Sequence, residues 1–132
     1  MNVTRIVETC LYVDDLDAAT RFYHETLGLE PFASVSGRHV FFRCGAGVLL
    51  LFNPHETAKG AGSAPAHGAR GAGHVAFAMA ADQADPWRAW LAQHGVPVET
   101  EVAWPGGGFS LYFRDPAGNS LELTTLATWG LL

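Results

Sequence analysis

The sequence feature that most constrains this chain is an internal repeat. The seven residues FFRCGAG at positions 41–47 return as YFRDPAG at positions 112–118. Upstream lie two similar runs whose side chains are expected to alternate between two faces, VETCLYV at 7–13 and GHVAFAM at 73–79. Each run is followed by a predicted helix and then by a glycine. Because four elements recur in the same order, the chain is predicted to contain two copies of one supersecondary unit.

Composition and charge narrow the class of protein. The 132 residues are 48% hydrophobic, which is enough apolar material for a packed core and excludes global disorder. A net charge of -5 argues against nucleic acid as a partner, because phosphate binding needs clustered cations. We find neither a secretory signal pattern nor an apolar run long enough to span a membrane, and two cysteines make no disulfide framework. A cytoplasmic protein is therefore expected.

Each half has the pattern strand, helix, strand and hairpin, which predicts an α+β fold. The two modules cover about residues 5–53 and 73–126 of a single domain, residues 1–132. A Gly- and Ala-rich segment, residues 54–72, separates them. Some twenty residues without an apolar period are unusual inside a compact domain and indicate a linker or a mobile lid.

Two helices are predicted. The first covers residues 15–27, with Asp15 as its N-cap and Gly28 after its end. The second begins near Asp85, which proline follows at the first turn, and ends before Gly95. Its inward-facing residues are expected to be Trp87, Trp90 and Leu91.

Strand alternation predicts a face with ionisable side chains in each half. The hairpin strands are expected at 39–43 with 48–53 and at 110–114 with 119–125. On the strand that follows the linker, His74 lies on the face opposite the core, next to two small residues. Those residues are Ala76 and Ala78. They leave volume beside the imidazole, as expected of a pocket wall.

The motifs of the chain resemble those of the vicinal oxygen chelate superfamily, the glyoxalase, bleomycin resistance protein and extradiol dioxygenase type. The residues that carry the resemblance are LYVDDL at 11–16, GHVAF at 73–77 and SLYFRDPAGN at 110–119, which runs into LEL at 121–123. The similarity covers about residues 5–125. It implies two tandem βαβββ modules that form an open, cup-like mixed sheet around a divalent metal ion, often completed across a homodimer.

The resemblance also implies the metal ligands. They correspond to Glu8, a position on the fourth strand, His74 and Glu122. The spacing of the repeat places Leu51 where the second half has Glu122, and leucine cannot bind a metal. The expected site therefore has three protein ligands, with Glu56 as a possible fourth. Such a donor set suits Zn, Ni, Co, Mn, Mg or Fe(II) without discriminating among them.

The activity implied is that of a metal-dependent lyase or isomerase of glyoxalase type, acting on a small substrate that chelates the metal through adjacent oxygens. Glu8 and Glu122 are the candidate catalytic bases. The candidate substrate-binding residues are Cys10, Tyr12, His39, Ser110 and Tyr112. The partners expected are this small molecule and a second copy of the chain, with sites between subunits, and neither nucleic acid nor a membrane.

Two alternatives remain open. A metal-free protein that sequesters a cationic drug, as bleomycin-binding members do, is consistent with the net charge of -5. A ring-cleaving dioxygenase usually presents two histidines and one carboxylate, and here Glu8 stands at the first histidine position.

Overall fold

The computed structural model describes residues 1–60 and 62–131, and the chain divides into two compact units, Met1–Gly73 and His74–Leu132. Each unit contains one four-stranded mixed sheet, so the predicted α+β class and the βαβββ pattern of each half are confirmed. No helix within the described residues is long and apolar enough to cross a membrane.

The sheet of the first unit has the strand order β1-β4-β3-β2. Its strands are β1 (Glu8–Tyr12), β2 (Glu30–Val35), β3 (His39–Cys44) and β4 (Gly47–Phe52). β1 runs parallel to β4, whereas β3 is antiparallel to both of its neighbours. The core on one side of this sheet is built from large apolar residues of the sheet, of the residue after β1 and of the covering helix, and they are almost fully buried: Leu11, Phe42, Leu49 and Leu51 on the strands, Val13 after β1 and Tyr23 from the helix.

One helix covers that core. α1 (Leu16–Arg21) continues into a π-helical turn, Phe22–Thr26, so the helical stretch closely matches the predicted one. The Asp15 side chain accepts a hydrogen bond from the backbone N–H of Ala18 at 3.0 Å, which confirms the predicted N-cap. The segment expected to be a linker begins with a single helical turn, α2 (Pro54–Thr57), because the Asn53 side chain caps it and proline fits its first position.

The second unit repeats this arrangement with the strand order β5-β8-β7-β6. Its strands are β5 (His74–Ala78), β6 (Thr100–Ala103), β7 (Phe109–Arg114) and β8 (Ser120–Thr124). The strand order and the directions of pairing equal those of the first unit, with β5 parallel to β8. The two copies predicted from the sequence therefore have the same strand order and pairing directions.

The other helix, α3 (Ala84–Gln93), lies in the second unit. One of the three residues predicted to face inward from it does not. Leu91 is fully buried and Trp87, one turn earlier, is half-buried. Trp90 is 43% exposed, and its ring lies 4.2 Å from that of His94. Trp90 and Leu91 lie about 100° apart around the helix, so they occupy opposite edges of one apolar stripe, and in this helix the leucine is the one that is buried.

The strand register also shows that the predicted equivalence of Leu51 and Glu122 is wrong. In the second unit Glu122 pairs with Tyr112, and the equivalent pair in the first unit is Leu50 with Phe41. The second hairpin connection is one residue longer than the first, and a shift of one residue moves a side chain to the other face of a sheet. Leu50 therefore occupies the position of Glu122. Neither leucine offers a donor atom, so the prediction of no ligand from this position is unaffected.

Candidate active site

The polar residues of the second unit share the sheet face opposite its core. By strand alternation this face carries His74 with the small residues Ala76 and Ala78 on β5, Ser110, Tyr112 and Arg114 on β7, and Ser120, Glu122 and Thr124 on β8. Glu122 lies in the middle of this face, paired in register with Ala76 and Tyr112. Its carboxylate is buried, with only 6% of the residue exposed. A buried carboxylate needs partners, because leaving it unpaired is costly.

The imidazole of His74 is the first partner of Glu122. Its Nδ1 lies 2.9 Å from the carbonyl oxygen of Ser120, and because a carbonyl only accepts, Nδ1 carries a proton and donates it. Its Nε2 lies 3.3 Å from Oε2 of Glu122. In the neutral ring this nitrogen has a free lone pair, which faces the lone pairs of the carboxylate.

Two acceptors in this position repel each other unless a cation lies between them. That cation is either a proton on Nε2 or a metal ion bound by both side chains. A histidine that binds a metal commonly donates its other ring N–H to a backbone carbonyl, as His74 does to Ser120. The chemistry of this donor pair therefore fits a divalent metal ion.

The second partner of Glu122 is a buried chain of hydroxyl groups. Ser110 is fully buried and donates its only hydroxyl hydrogen to Oε1 of Glu122, at 2.5 Å. Ser110 Oγ must then accept from Trp104 Nε1 and Thr124 Oγ1, each at 2.8 Å. Thr124 accepts in turn from Thr128 Oγ1, also at 2.8 Å. The hydrogen bonds of 2.8 Å or shorter in this chain all run toward the carboxylate and hold it in one orientation, whereas the Phe109 carbonyl lies farther from Thr124 Oγ1, at 3.5 Å.

Backbone packing holds the end of this chain of hydroxyl groups in place. Thr128 belongs to a short 3₁₀ helix, Leu126–Trp129, at the end of the chain. Gly108 is buried directly against it, and a Cβ atom at this position would overlap the backbone of Thr128. Only glycine therefore lets the loop before β7 approach this helix so closely.

Tyr112 borders the site on the other side of Glu122. Its ring is stacked on that of His74, with 6.3 Å between centroids. Burial, then the charge of Glu122 and a hydrogen bond to it, raise the pKa of the Tyr112 hydroxyl. The hydroxyl therefore keeps its proton at neutral pH and donates it to the Glu122 carboxylate.

The first unit has its own polar face, the one opposite its core. Glu8, Cys10 and Tyr12 alternate along β1 on this face, as predicted, and Glu8 begins the strand. Glu8 and Cys10 are exposed. Burial and then the charge of Glu8 raise the pKa of the Cys10 thiol, so Cys10 is protonated at neutral pH and is a poor ligand and nucleophile.

His39 lies on the same face and is held neutral. Arg38 Nη1 donates to His39 Nδ1 at 2.7 Å, which leaves the ring proton on Nε2. Burial, and then the charge of Arg38, lower the pKa of His39. The ring is stacked on Phe41 at 4.2 Å, so its free edge is a hydrogen-bond donor rather than a metal ligand.

The structure thus brings four predicted residues, His74, Ser110, Tyr112 and Glu122, into one cluster within the second unit. Glu8, Cys10, Tyr12 and His39 share one face of the first unit. Within the described part of each unit, no three His, Cys, Asp or Glu side chains gather closely enough to hold a metal ion. The three-ligand set of Glu8, His74 and Glu122 stays a prediction, as does substrate contact by the other residues. Glu56 pairs with Lys59 at 2.8 Å.

Sequence reasoning missed several residues that contact the predicted ones. Thr124 lies two residues after Glu122, and its place on the same face was detectable from strand alternation. Trp104, Thr128 and His67 had no such signal, because each reaches its partner from a loop or a separate short helix.

The comparisons with known proteins identify the family and the fold of the chain. The family model of the Glyoxalase/Bleomycin resistance protein/Dioxygenase superfamily matches residues 5–123. A crystal structure of lactoylglutathione lyase from Agrobacterium tumefaciens is 42% identical in sequence, with a TM-score of 0.94, and the match covers 98% of this chain and 99% of that one. No curated protein sequence matches the chain.

Two more distant structures share the fold. An integron cassette protein from the mobile metagenome of the Halifax Harbour sewage outfall is 26% identical, with a TM-score of 0.76 over 94% of this chain and 100% of that one. A mutant fosfomycin resistance protein of Listeria monocytogenes, in complex with Mn(II) and a dihydroxypropylphosphonic acid, is 21% identical, with a TM-score of 0.70 over 95% and 93%. The chain belongs to the Glyoxalase/Bleomycin resistance protein/Dioxygenase superfamily.

Proposed function

We propose that this protein is a divalent-metal-dependent lyase or isomerase of glyoxalase type. The observation that carries the proposal is the pair formed by His74 Nε2 and Glu122 Oε2, whose facing lone pairs need a cation between them. The 42% identity to a lactoylglutathione lyase over nearly the whole chain supports the same class of reaction.

The proposed metal ligands are Glu8, His74 and Glu122. Two carboxylates balance the charge of a divalent ion, and one imidazole with two carboxylates suits Zn, Ni, Co, Mn, Mg or Fe(II). The chemistry that such an ion supplies is Lewis-acid stabilisation of the negative charge that develops on a substrate oxygen. Three protein ligands leave room for a substrate with two adjacent oxygens.

The residues of the chain would divide the remaining work. The carboxylate of Glu8 or of Glu122 removes a proton from the carbon next to the substrate carbonyl and returns it to the neighbouring carbon. Tyr112 and His39 would contact the substrate, and His39 would donate a hydrogen bond from Nε2 to one of its oxygens. Ser110 holds the Glu122 carboxylate in one orientation, since it contacts Oε1 and leaves Oε2 to the site.

Assembly and location are part of the proposal. The two units would act as one domain, residues 1–132, in a cytoplasmic homodimer. In this dimer Glu8 of one copy meets His74 and Glu122 of the other, so that the sites lie between subunits. The second candidate function, metal-free binding of a cationic small molecule, rests on the net charge of -5.

The test measures bound metal and activity together. Purified protein is expected to contain about one divalent ion per chain, and to form a thioester from methylglyoxal and glutathione. In Glu122→Gln, the affinity for the metal and the rate of thioester formation should each fall by about 100-fold or more, because a metal ligand and a base are lost together. Glu101→Gln is the matched control, since Glu101 is an exposed carboxylate of the same unit that pairs with Arg88.

An absence of metal binding favours the second candidate function, metal-free binding of a small molecule. Wild-type protein that contains no divalent ion, and neither binds nor responds to added Mn, Zn, Co, Ni or Fe(II), would overturn the enzyme proposal.

A further inference from the structure

The 3₁₀ helix Leu126–Trp129 contributes one polar side chain to the chain of hydroxyl groups, that of Thr128. Thr128 Oγ1 lies 2.8 Å from Thr124 Oγ1, which in turn lies 2.8 Å from Ser110 Oγ. Ser110 Oγ lies 2.5 Å from Oε1 of Glu122. Three successive hydrogen bonds therefore connect this helix, which follows β8, to the carboxylate in the middle of the sheet.

The oxygen of Ser110 has both of its lone pairs in use. Its hydrogen goes to Glu122, and the two lone pairs accept from Trp104 Nε1 and Thr124 Oγ1. Ser110, Thr124 and Glu122 are all buried. A partner lost at this point is costly, because solvent does not easily replace it.

The single hydroxyl hydrogen of Thr124 has two acceptors within reach. Ser110 Oγ lies at 2.8 Å and the Phe109 carbonyl oxygen at 3.5 Å. If the hydrogen turns to Phe109, Thr124 Oγ1 can accept from Ser110 instead. Ser110 would then turn its own hydrogen away from Glu122. A hydrogen bond donated by Thr128 opposes this change, because an oxygen that accepts one hydrogen bond donates the next more strongly.

Close packing fixes the position of Thr128. Its backbone N–H donates to the Thr125 carbonyl at 3.1 Å, and a Cβ atom on Gly108 would overlap both its backbone and its hydroxyl. Two residues earlier in the same loop, a Cβ atom on Gly106 would meet only the Ala127 carbonyl oxygen, at 3.9 Å. Neither glycine has a positive φ, so a methyl group added at either position acts through these contacts.

We propose that the 3₁₀ helix Leu126–Trp129 positions the proposed metal ligand Glu122, with Thr128 as the positioning residue. The hydroxyl of Thr128 keeps the hydrogen of Thr124 on Ser110, and Ser110 in turn keeps its hydrogen on Oε1 of the carboxylate. Oε2 then stays directed toward the imidazole. The effect on metal binding rests on the proposed function: a carboxylate already held in place binds an ion more tightly than one that rotates.

Metal titration of the purified full chain tests the role of Thr128. The probe is whichever of Mn, Zn, Co, Ni and Fe(II) the wild type binds most tightly. Thr128→Val replaces the hydroxyl by a methyl group and should weaken that affinity about 5-fold, less than the loss of a group that touches a ligand directly. Thr128→Ser keeps the hydroxyl and should retain the wild-type affinity. In a Ser110→Ala background Thr128→Val should cause no further loss, because the connection to Glu122 is already broken.

Two glycine variants test the contact between the loop and the helix. Gly108→Ala should displace Thr128 and weaken metal affinity about 5-fold or more. Gly106→Ala is the matched control and should leave the affinity unchanged. Equal affinities in the two variants would contradict the role of this contact, and Thr128→Val decides the proposal if Gly108→Ala does not fold.

A further measurement uses the metal-free protein. Hydrogen exchange of the Trp104 indole N–H, followed by NMR, reports how firmly Ser110 accepts from it. Thr128→Val should speed this exchange about 5-fold, whereas Thr128→Ser should leave it unchanged. The change would pass through Thr124 and Ser110, which connect the two residues.

Each outcome decides the proposal. Equal metal affinity in Thr128→Val and wild type, or an equal loss with and without the hydroxyl of Ser110, overturns it. An unchanged exchange rate of the Trp104 N–H overturns it as well. Wild-type protein that binds no divalent ion refutes the proposed function, and faster exchange in Thr128→Val would then leave standing the hold of Thr128 on the hydroxyl chain.

Discussion

A single hydroxyl hydrogen determines the hydrogen bonds around Glu122. Ser110 gives its hydrogen to the carboxylate, so Trp104 and Thr124 must both donate to Ser110. Thr128 must then donate to Thr124. The carboxylate thus receives the end of a directed chain of donors inside the protein, and this arrangement fixes its orientation.

The first prediction at this scale concerns Ser110→Ala. The substitution leaves the buried Oε1 of Glu122 and the N–H of Trp104 without their common partner, so the free energy of unfolding should fall by about 1–3 kcal/mol. Because the orientation of Glu122 is lost as well, metal affinity should fall about 10-fold. Urea denaturation and metal titration measure the two effects.

Thr20→Ala is the control for Ser110→Ala. Its hydroxyl donates to the Leu16 carbonyl at 2.6 Å, one helical turn away, and it lies in the first unit. Thr20→Ala should leave metal affinity unchanged. Equal metal affinity in Ser110→Ala and wild type would show that Ser110 has no positioning role.

The hairpin connections show that the sequence repeat predicts which strands are equivalent but not their exact register. The repeat of FFR and YFR correctly indicates equivalent strands, but one extra residue in the second connection shifts the next strand by one position. One side chain holds this longer connection together. Asp115 Oδ1 accepts from the backbone N–H groups of Ala117 and Asn119, and Oδ2 accepts from the Asn119 amide. The first hairpin has Gly45 at the corresponding turn.

The prediction at the scale of the element is that this turn sets the stability of the β7–β8 hairpin. Asp115 is only 4% exposed, and Asp115→Ala removes the acceptor of the hydrogen bonds from the backbone of Ala117 and from the backbone and side chain of Asn119. The free energy of unfolding should fall by about 2–3 kcal/mol, measured by urea denaturation. Asp14→Ala is the control, because exposed Asp14 accepts one local hydrogen bond, from the N–H of Asp15. Similar losses in both variants would contradict the role of the turn.

At the scale of the whole chain, periodic patterns predicted the topology, whereas contacts between distant segments escaped them. The strands, the N-cap at Asp15 and the faces that carry Glu8, His74 and Glu122 all follow from local alternation and capping chemistry. The partners of these residues follow from chain folding. Trp104 reaches the site from the loop after β6, and the Ser120 carbonyl that orients His74 is a backbone atom that no residue type reveals.

The last prediction concerns the whole assembly. If each proposed site takes Glu8 from one copy and His74 with Glu122 from the other, then Glu8→Gln and Glu122→Gln chains complement each other. Their mixed dimer contains one intact site, formed by the native Glu8 of one chain and the native Glu122 of the other, and one site that lacks both carboxylates. Co-expressed with different affinity tags and purified as a mixed dimer, they should bind about half the metal of wild type and show about half its activity. Each variant alone should bind metal at least about 10-fold more weakly.

If the site were built within one chain, neither chain of the mixed dimer would have a complete ligand set. Verified mixed dimers that bind no more metal than either variant alone would therefore place the site within a single chain.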